Sequence, residues 1–195
     1  MITRISSDST VLPLSVAEVK EHLRIDSTYE DELVRSMTKA VTLIAENRTG
    51  RALVQREYEM LMDDFPSITE AITLLYPPLS ATSGDLTITY LDETSGNSTT
   101  FPATAYTVDY KSEPARIYPS YDNEWPDNVR DVPNAVTITY RSGYSTCPEP
   151  IKSWMKLQIG VMYENREGII PINMNKLSRS FFDGLLDGYA LPGVY

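Results

Sequence analysis

His22 and Cys147, the only histidine and the only cysteine of the chain, are the first places to look for chemistry. Acid–base work near neutral pH wants an imidazole oriented by a third group, and nucleophilic work wants a thiolate beside a base. His22 lies inside a helical pattern with no recognisable triad partner. Cys147 stands in a Ser/Thr/Pro loop just before a helix start, where a helix N-terminus lowers a thiol pKa, but its one possible base is far away along the chain. A zinc site wants clustered Cys and His, and there is no such cluster. Asp63–Asp64 in "DDF" and Asp92 in "LDETSGN" supply carboxylates without the spacing of a calcium loop, and the second stretch reads as a β-turn with Gly96 at the bend. The 27 acidic residues offer many arbitrary pairs for glycoside cleavage and none that stands out. The nine glycines are scattered, so no phosphate-cradling loop is formed. The expectation is a protein that is not an enzyme, with no catalytic residue, cofactor or metal.

Binding is the remaining class of chemistry. In "YPSYDNEWPDN" the rings of Tyr118, Tyr121 and Trp125 sit in a polar loop, where they could stack on a sugar or on another protein; the plainer alternative is that they cover the end of a sheet. The formal net charge is −10, with 17 Lys and Arg against 27 Asp and Glu. A protein that grips nucleic acid neutralises phosphates with cations, so tight DNA binding is not expected. Thirteen tyrosines, each with an apolar face and a polar tip, suit half-buried strands and contact surfaces. A lone cysteine forms no intramolecular disulfide, "MITRISSDST" has no apolar signal-peptide core, and no stretch approaches membrane-spanning length; an intracellular folding compartment and no membrane partner are expected.

The elements that must carry these residues follow from periodicity. "LPLSVAEVKEHLRI" has a capping-box spacing at Ser15 and Glu18, then Val16, Val19 and Leu23 on one helical face. "DSTYEDELVRSMTKAVTLIAENRTG" repeats the capping spacing at Ser27 and Glu30, places Leu33, Met37, Ala40, Val41 and Ile44 as an apolar stripe, and ends at Gly50. From "ALVQREYEMLMDDF" onward the period changes to two, and "AITLLY", "DLTITYL", "AYTVDY", "ARIYPS" and "NAVTITYRSGY" read as strands separated by Pro, Gly and Asp turns. "CPEPIKSWMKLQIGVMYENRE" returns to helical spacing, with Ile151, Trp154, Met155, Ile159 and Met162 on one face. The expected class is α+β: a small bundle of N- and C-terminal helices (1–51 and 147–167), an inserted antiparallel β module (52–146) and a C-terminal extension (168–195). The helices from both ends are expected to pack together, with the β module projecting between them.

The ordered set of these stretches resembles one family, the head–tail connector (adaptor, or head-completion) proteins of long-tailed bacteriophages and gene-transfer particles. The resemblance is carried by "LPLSVAEVKEHLRIDSTYEDELVRSMTKAVTLIAENRTGRAL", which looks like the family's L-S-x-x-E-x-K-x-H-L-R helix and T-G-R-x-L ending, by "PNAVTITYRSGY", and by "PEPIKSWMKLQIGVMYENRE" with its Y-E-N-R-E end. It implies a structural virion protein at the head–tail junction, made in the host cytoplasm. Such a protein forms a homo-oligomeric ring, usually dodecameric, below the portal protein. The ring extends the channel for passing double-stranded DNA without tight binding, and offers a platform to the next neck or tail-terminator protein. A ring of acidic subunits would repel DNA phosphates from its wall. Glu18, Glu21, Asp31 and Glu32 are the candidate lumen-facing carboxylates. Phe181, Phe182, Leu185, Leu186 and Tyr189 recur at helix-compatible spacing after the breakers "EGIIPINMN", and by analogy form a tail that docks on the portal; the alternative is that they fold back on their own subunit. A second functional reading is a carbohydrate- or receptor-binding β module on a helical base, using Tyr118, Tyr121 and Trp125.

Overall fold

The structure, a computed structural model, describes residues 2–7, 11–67, 70–82, 84–166 and 184–192. The protein is α+β and divides into two compact units, one of Thr10–Val54 with Tyr144–Tyr195, the other of Met1–Ser9 with Gln55–Gly143. The strand unit therefore takes residues 2–7, which the sequence reading placed with the helices.

In the helical unit, α1 (Val16–Leu23) starts as the capping box predicts. The Ser15 hydroxyl accepts from the Glu18 N–H at 3.2 Å, and the Glu18 carboxylate accepts from the Ser15 N–H at 2.8 Å. The second capping signal resolves differently. Ser27 caps only a single 3-10 turn, Thr28–Glu30, and α2 (Asp31–Thr49) begins after Glu30, whose side chain makes no cap bond. That carboxylate is drawn instead to Tyr163 and Arg166, 133 and 136 positions away. Gly50 ends α2 in the left-handed region at φ 70°, its N–H donating to the Glu46 carbonyl at 2.8 Å, a conformation that costs glycine nothing. The third helix, α3 (Glu149–Glu164), has Pro150 in its first turn, where a missing N–H breaks no bond.

α2 packs on α3, and α1 packs on both, around Val34, Val41, Ile151, Trp154 and Ile159, all at most 1% exposed. The buried face of α2 is rotated from the expected stripe. Ala40 and Ile44 are exposed, whereas Thr38, Thr42 and Thr49 are buried with each hydroxyl donating to the carbonyl four residues earlier. A threonine that satisfies itself in this way goes into a core at small cost.

The strand unit contains two antiparallel sheets. The larger runs β1 (Ile2–Ser7), β2 (Arg56–Met62), β8 (Val136–Ser142), β4 (Leu86–Leu91), β5 (Ser98–Phe101) in space; the smaller runs β3 (Ile72–Thr73), β7 (Arg116–Pro119), β6 (Tyr106–Asp109). One transverse row, Met60–Ile138–Ile88–Phe101, is buried from end to end. Its neighbour pairs Tyr58 with Tyr140, stacked at 5.7 Å. Alternation along β8 puts Val136, Ile138 and Tyr140 on this face, as period two requires. Two strands escaped the sequence reading. β5 is short and Ser/Thr-rich, and β1 is an edge strand almost wholly exposed, so neither has the apolar alternation that marks a half-buried strand.

Candidate interaction site

Of the residues weighed for chemistry, Cys147, Asp63, Asp64 and Asp92 are engaged in structure. Cys147 is 5% exposed, and burial pushes its thiol up to about 12, so it is a protonated core residue at neutral pH. His22 is exposed on α1, where its Nε2 and the Leu23 side chain pass close to Gly160 of α3. Asp63 accepts from the Asn134 N–H at 2.9 Å and Asp64 from the Phe65 N–H at 2.7 Å. Asp92 accepts from the Ser95 N–H at 2.7 Å, the largest cause holding its carboxyl below the usual range, in the turn that Gly96 closes at φ 69°. Among the described residues no group of three His, Cys, Asp or Glu side chains is placed to hold a metal ion, and no helix is long and apolar enough to cross a membrane.

The aromatic loop is divided between core and surface. Trp125 is 5% exposed, stacked on Phe65 at 5.3 Å, beside Phe101, and its indole N–H donates to the Glu70 carbonyl at 3.1 Å. The expectation that Trp125 offers a free stacking face is therefore corrected: both its ring and its polar edge are used inside the strand unit. Tyr118 is half-buried with the Arg116 guanidinium 5.8 Å from its ring, and Tyr121 alone of the three stands out, 92% exposed. The contact-prone loop was legible as aromatic, but only packing separates a ring that covers the sheet from one that leaves it.

The four candidate channel carboxylates also divide. Glu18 is held by the Ser15 backbone and hydroxyl, which keep its carboxyl below the usual range, with Lys152 3.6 Å away. Asp31 pairs with Lys20 at 2.8 Å. Glu21 and Glu32 are exposed, and the partner of Glu32 is Arg35 one turn on at 3.4 Å.

The C-terminal stretch gives the most developed site. Phe181 and Phe182 lie outside the described residues. Residues 184–187 form one helical turn, and Leu186, 4% exposed, sits in the helical core with Leu185 and Tyr189 against it. What seats the stretch is the T-G-R-x-L motif at the end of α2. The Thr49 carbonyl accepts from the Leu191 N–H at 3.0 Å, the Arg51 Nε donates to the Tyr189 carbonyl at 2.6 Å, and the Leu53 N–H donates to the Glu46 carboxylate at 2.9 Å. The last carbonyls of a helix have no intrahelical partner, and here one of them is satisfied by the C-terminal chain. Arg51 was missed as a functional residue; the signal available was an arginine placed directly after a glycine cap, inside a motif already noted. Leu186 and Tyr189 thus pack on their own helices, the alternative to docking that the spacing had left open.

No family model matches this chain, and no curated protein matches it. Solved structures do. Over 100% of both chains it matches a chain of the neck of an empty gene transfer agent (GTA) particle with C6 symmetry, at TM-score 0.77 and 20% identity. The fold is that of a GTA neck chain. A chain of the native GTA virion matches at TM-score 0.73, and one of the native GTA neck with C12 symmetry at 0.67, each with 18% identity and 100% of both chains covered. The match to the GTA chains includes both units and the C-terminal stretch, and fits the α+β class expected from the sequence.

Proposed function

We propose that this chain is a structural head–tail connector, a ring-forming neck subunit below the portal that extends the DNA channel and joins the head to the next neck or tail protein. The observation that carries the reading is full-length likeness of fold to chains from GTA necks. The chemistry agrees with it. Cys147 is buried in the core, Asp63, Asp64 and Asp92 are spent on turn and loop hydrogen bonds, and the chain carries a net charge of −10. A wall that presents Glu21 and Glu32 would repel phosphate and let DNA slide. The carbohydrate-binding alternative loses its main support with Trp125 turned inward. In this proposal portal docking falls to Phe181 and Phe182, while Leu185, Leu186 and Tyr189 anchor the C-terminal stretch to its own helices.

The test is co-sedimentation of the full chain with portal complexes, together with electron microscopy of the product. Annular particles seated on the portal are expected. Phe181→Asp with Phe182→Asp should cut portal binding at least about tenfold, as loss of a buried aromatic anchor does, with the thermal midpoint unchanged. A purified chain that neither binds portal nor forms annular particles in its presence would overturn the reading.

A further inference from the structure

α2 presents apolar side chains to solvent. Leu43 is 58% and Ile44 43% exposed, with Ala40 and Lys39 exposed beside them. The same helix buries three threonines, so the polar and apolar positions are arranged for a second contact beyond the one made within the unit. Arg35 is paired with Glu32 and Arg48 lies over the Trp154 ring at 5.5 Å, whereas Lys39 has no ion pair among the described residues.

Just before the other end of α2, Tyr29 is 94% exposed, more than any other large apolar side chain among the described residues. Its mount is rigid. The Ser27 hydroxyl accepts from the Tyr29 N–H at 3.2 Å. Glu30 is held by the Tyr163 hydroxyl at 2.5 Å and Arg166 at 2.8 Å, and Asp31 by Lys20 at 2.8 Å. The ring itself has no partner among the described residues, and exposed Asp26 lies three positions before it. With the backbone beneath it already held, docking would have to order only the two side-chain torsions of the ring.

Resting on the ring reading above, we propose that these are the two halves of one subunit–subunit interface: Tyr29 of one copy seats on Leu43 and Ile44 of the next, with Asp26 directed toward Lys39. A closed ring needs two different, complementary surfaces on every subunit, because a self-complementary patch stops at a dimer. Tyr29 and Leu43 are fourteen positions apart, about 20 Å along a helix axis, so one subunit can engage a neighbour through each at the same time. Charge selects the occupant. Copies carrying −10 each repel over most of their surfaces, and the apolar face flanked by a free lysine is where an acid-flanked aromatic of a second copy is favoured.

Cross-linking of the full chain with a short bismaleimide, in the presence of portal protein, tests this. Cys147 is buried, and the unsubstituted chain should give no product. A chain carrying both Tyr29→Cys and Leu43→Cys should give a ladder of multimers. The two single variants should cross-link when mixed, at least about tenfold faster than either alone. In an otherwise unsubstituted chain, Leu43→Glu should abolish annular particles while leaving the circular-dichroism melt unchanged. Annular particles without the ladder, or single variants that cross-link as well alone as when mixed, overturn the interface and leave the connector reading standing. No ladder and no annular particles overturn both.

Discussion

The Arg51 guanidinium donates to the Tyr189 carbonyl at 2.6 Å, closing a link across 138 positions between the end of α2 and the C-terminal stretch. Together with the Leu191–Thr49 bond it makes residues 184–192 part of the helical fold, with Leu186 as their core plug. Leu186→Ala is expected to lower the unfolding free energy by ~2–3 kcal/mol, the lower part of the range for deleting a buried leucine side chain. Urea denaturation read by circular dichroism checks it. A change below about 0.5 kcal/mol, the size of an ordinary surface substitution, would mean that the plug is dispensable.

Trp125 makes an opposite pair of expectations for its two readings. As a core residue stacked on Phe65 and bonded to Glu70, its change to Ala should cost roughly 3–5 kcal/mol and lower the thermal midpoint. As a ligand platform, the same change would leave stability intact and remove glycan binding. Calorimetry and a glycan array on the one variant separate them.

Cys147 gives a pH dependence with a definite sign. Burial raises its folded pKa from 9.0 to about 12, so the folded chain favours the neutral thiol. The associated stability is complete below pH 9 and is lost as pH rises toward 12, by about 1.4 kcal/mol per pH unit for one group. Tyr140, also raised chiefly by burial, adds in the same direction at higher pH. Denaturation midpoints at pH 8 and pH 10.5 should therefore fall further for the natural chain than for Cys147→Ala; equal falls would show that the thiol titrates normally.

Gly160 occupies the middle of α3, where an added Cβ meets only the His22 Nε2 and Leu23 Cδ2, each at 3.9 Å. That is ordinary contact, so the backbone entropy of glycine is not required there by space. Gly160→Ala should stabilise the chain by ~0.5–1 kcal/mol. A lowered melting temperature would show that α1 and α3 approach more closely in solution than these distances imply.

Local signals were read well from the residues and distant ones were not. Ser15 and Glu18 cap α1, and Gly50 ends α2, because such bonds join atoms within one turn. Ser27 and Glu30 have the same capping spacing, yet Glu30 leaves the cap for Tyr163 and Arg166. No local rule anticipates a partner 133 positions away. The α2 stripe was misplaced for a related reason. Threonine counts as polar in a pattern, but its hydroxyl can satisfy itself on its own helix, and Ile44 counts as apolar although packing leaves it at the surface.

By itself the sequence determined the three main helices and six of the eight strands in their order, the α+β class, the acidity, and the scarcity of histidine and cysteine, since each depends on residue type and short-range spacing. Only the tertiary structure decided that Ile2–Ser7 belongs to the sheet, that Trp125 turns inward while Tyr121 does not, and that Leu186 sits in the core of its own helices. These outcomes depend on which surfaces meet. Burial is a property of pairs of segments brought together by folding, and periodicity along one segment does not specify the other member of the pair.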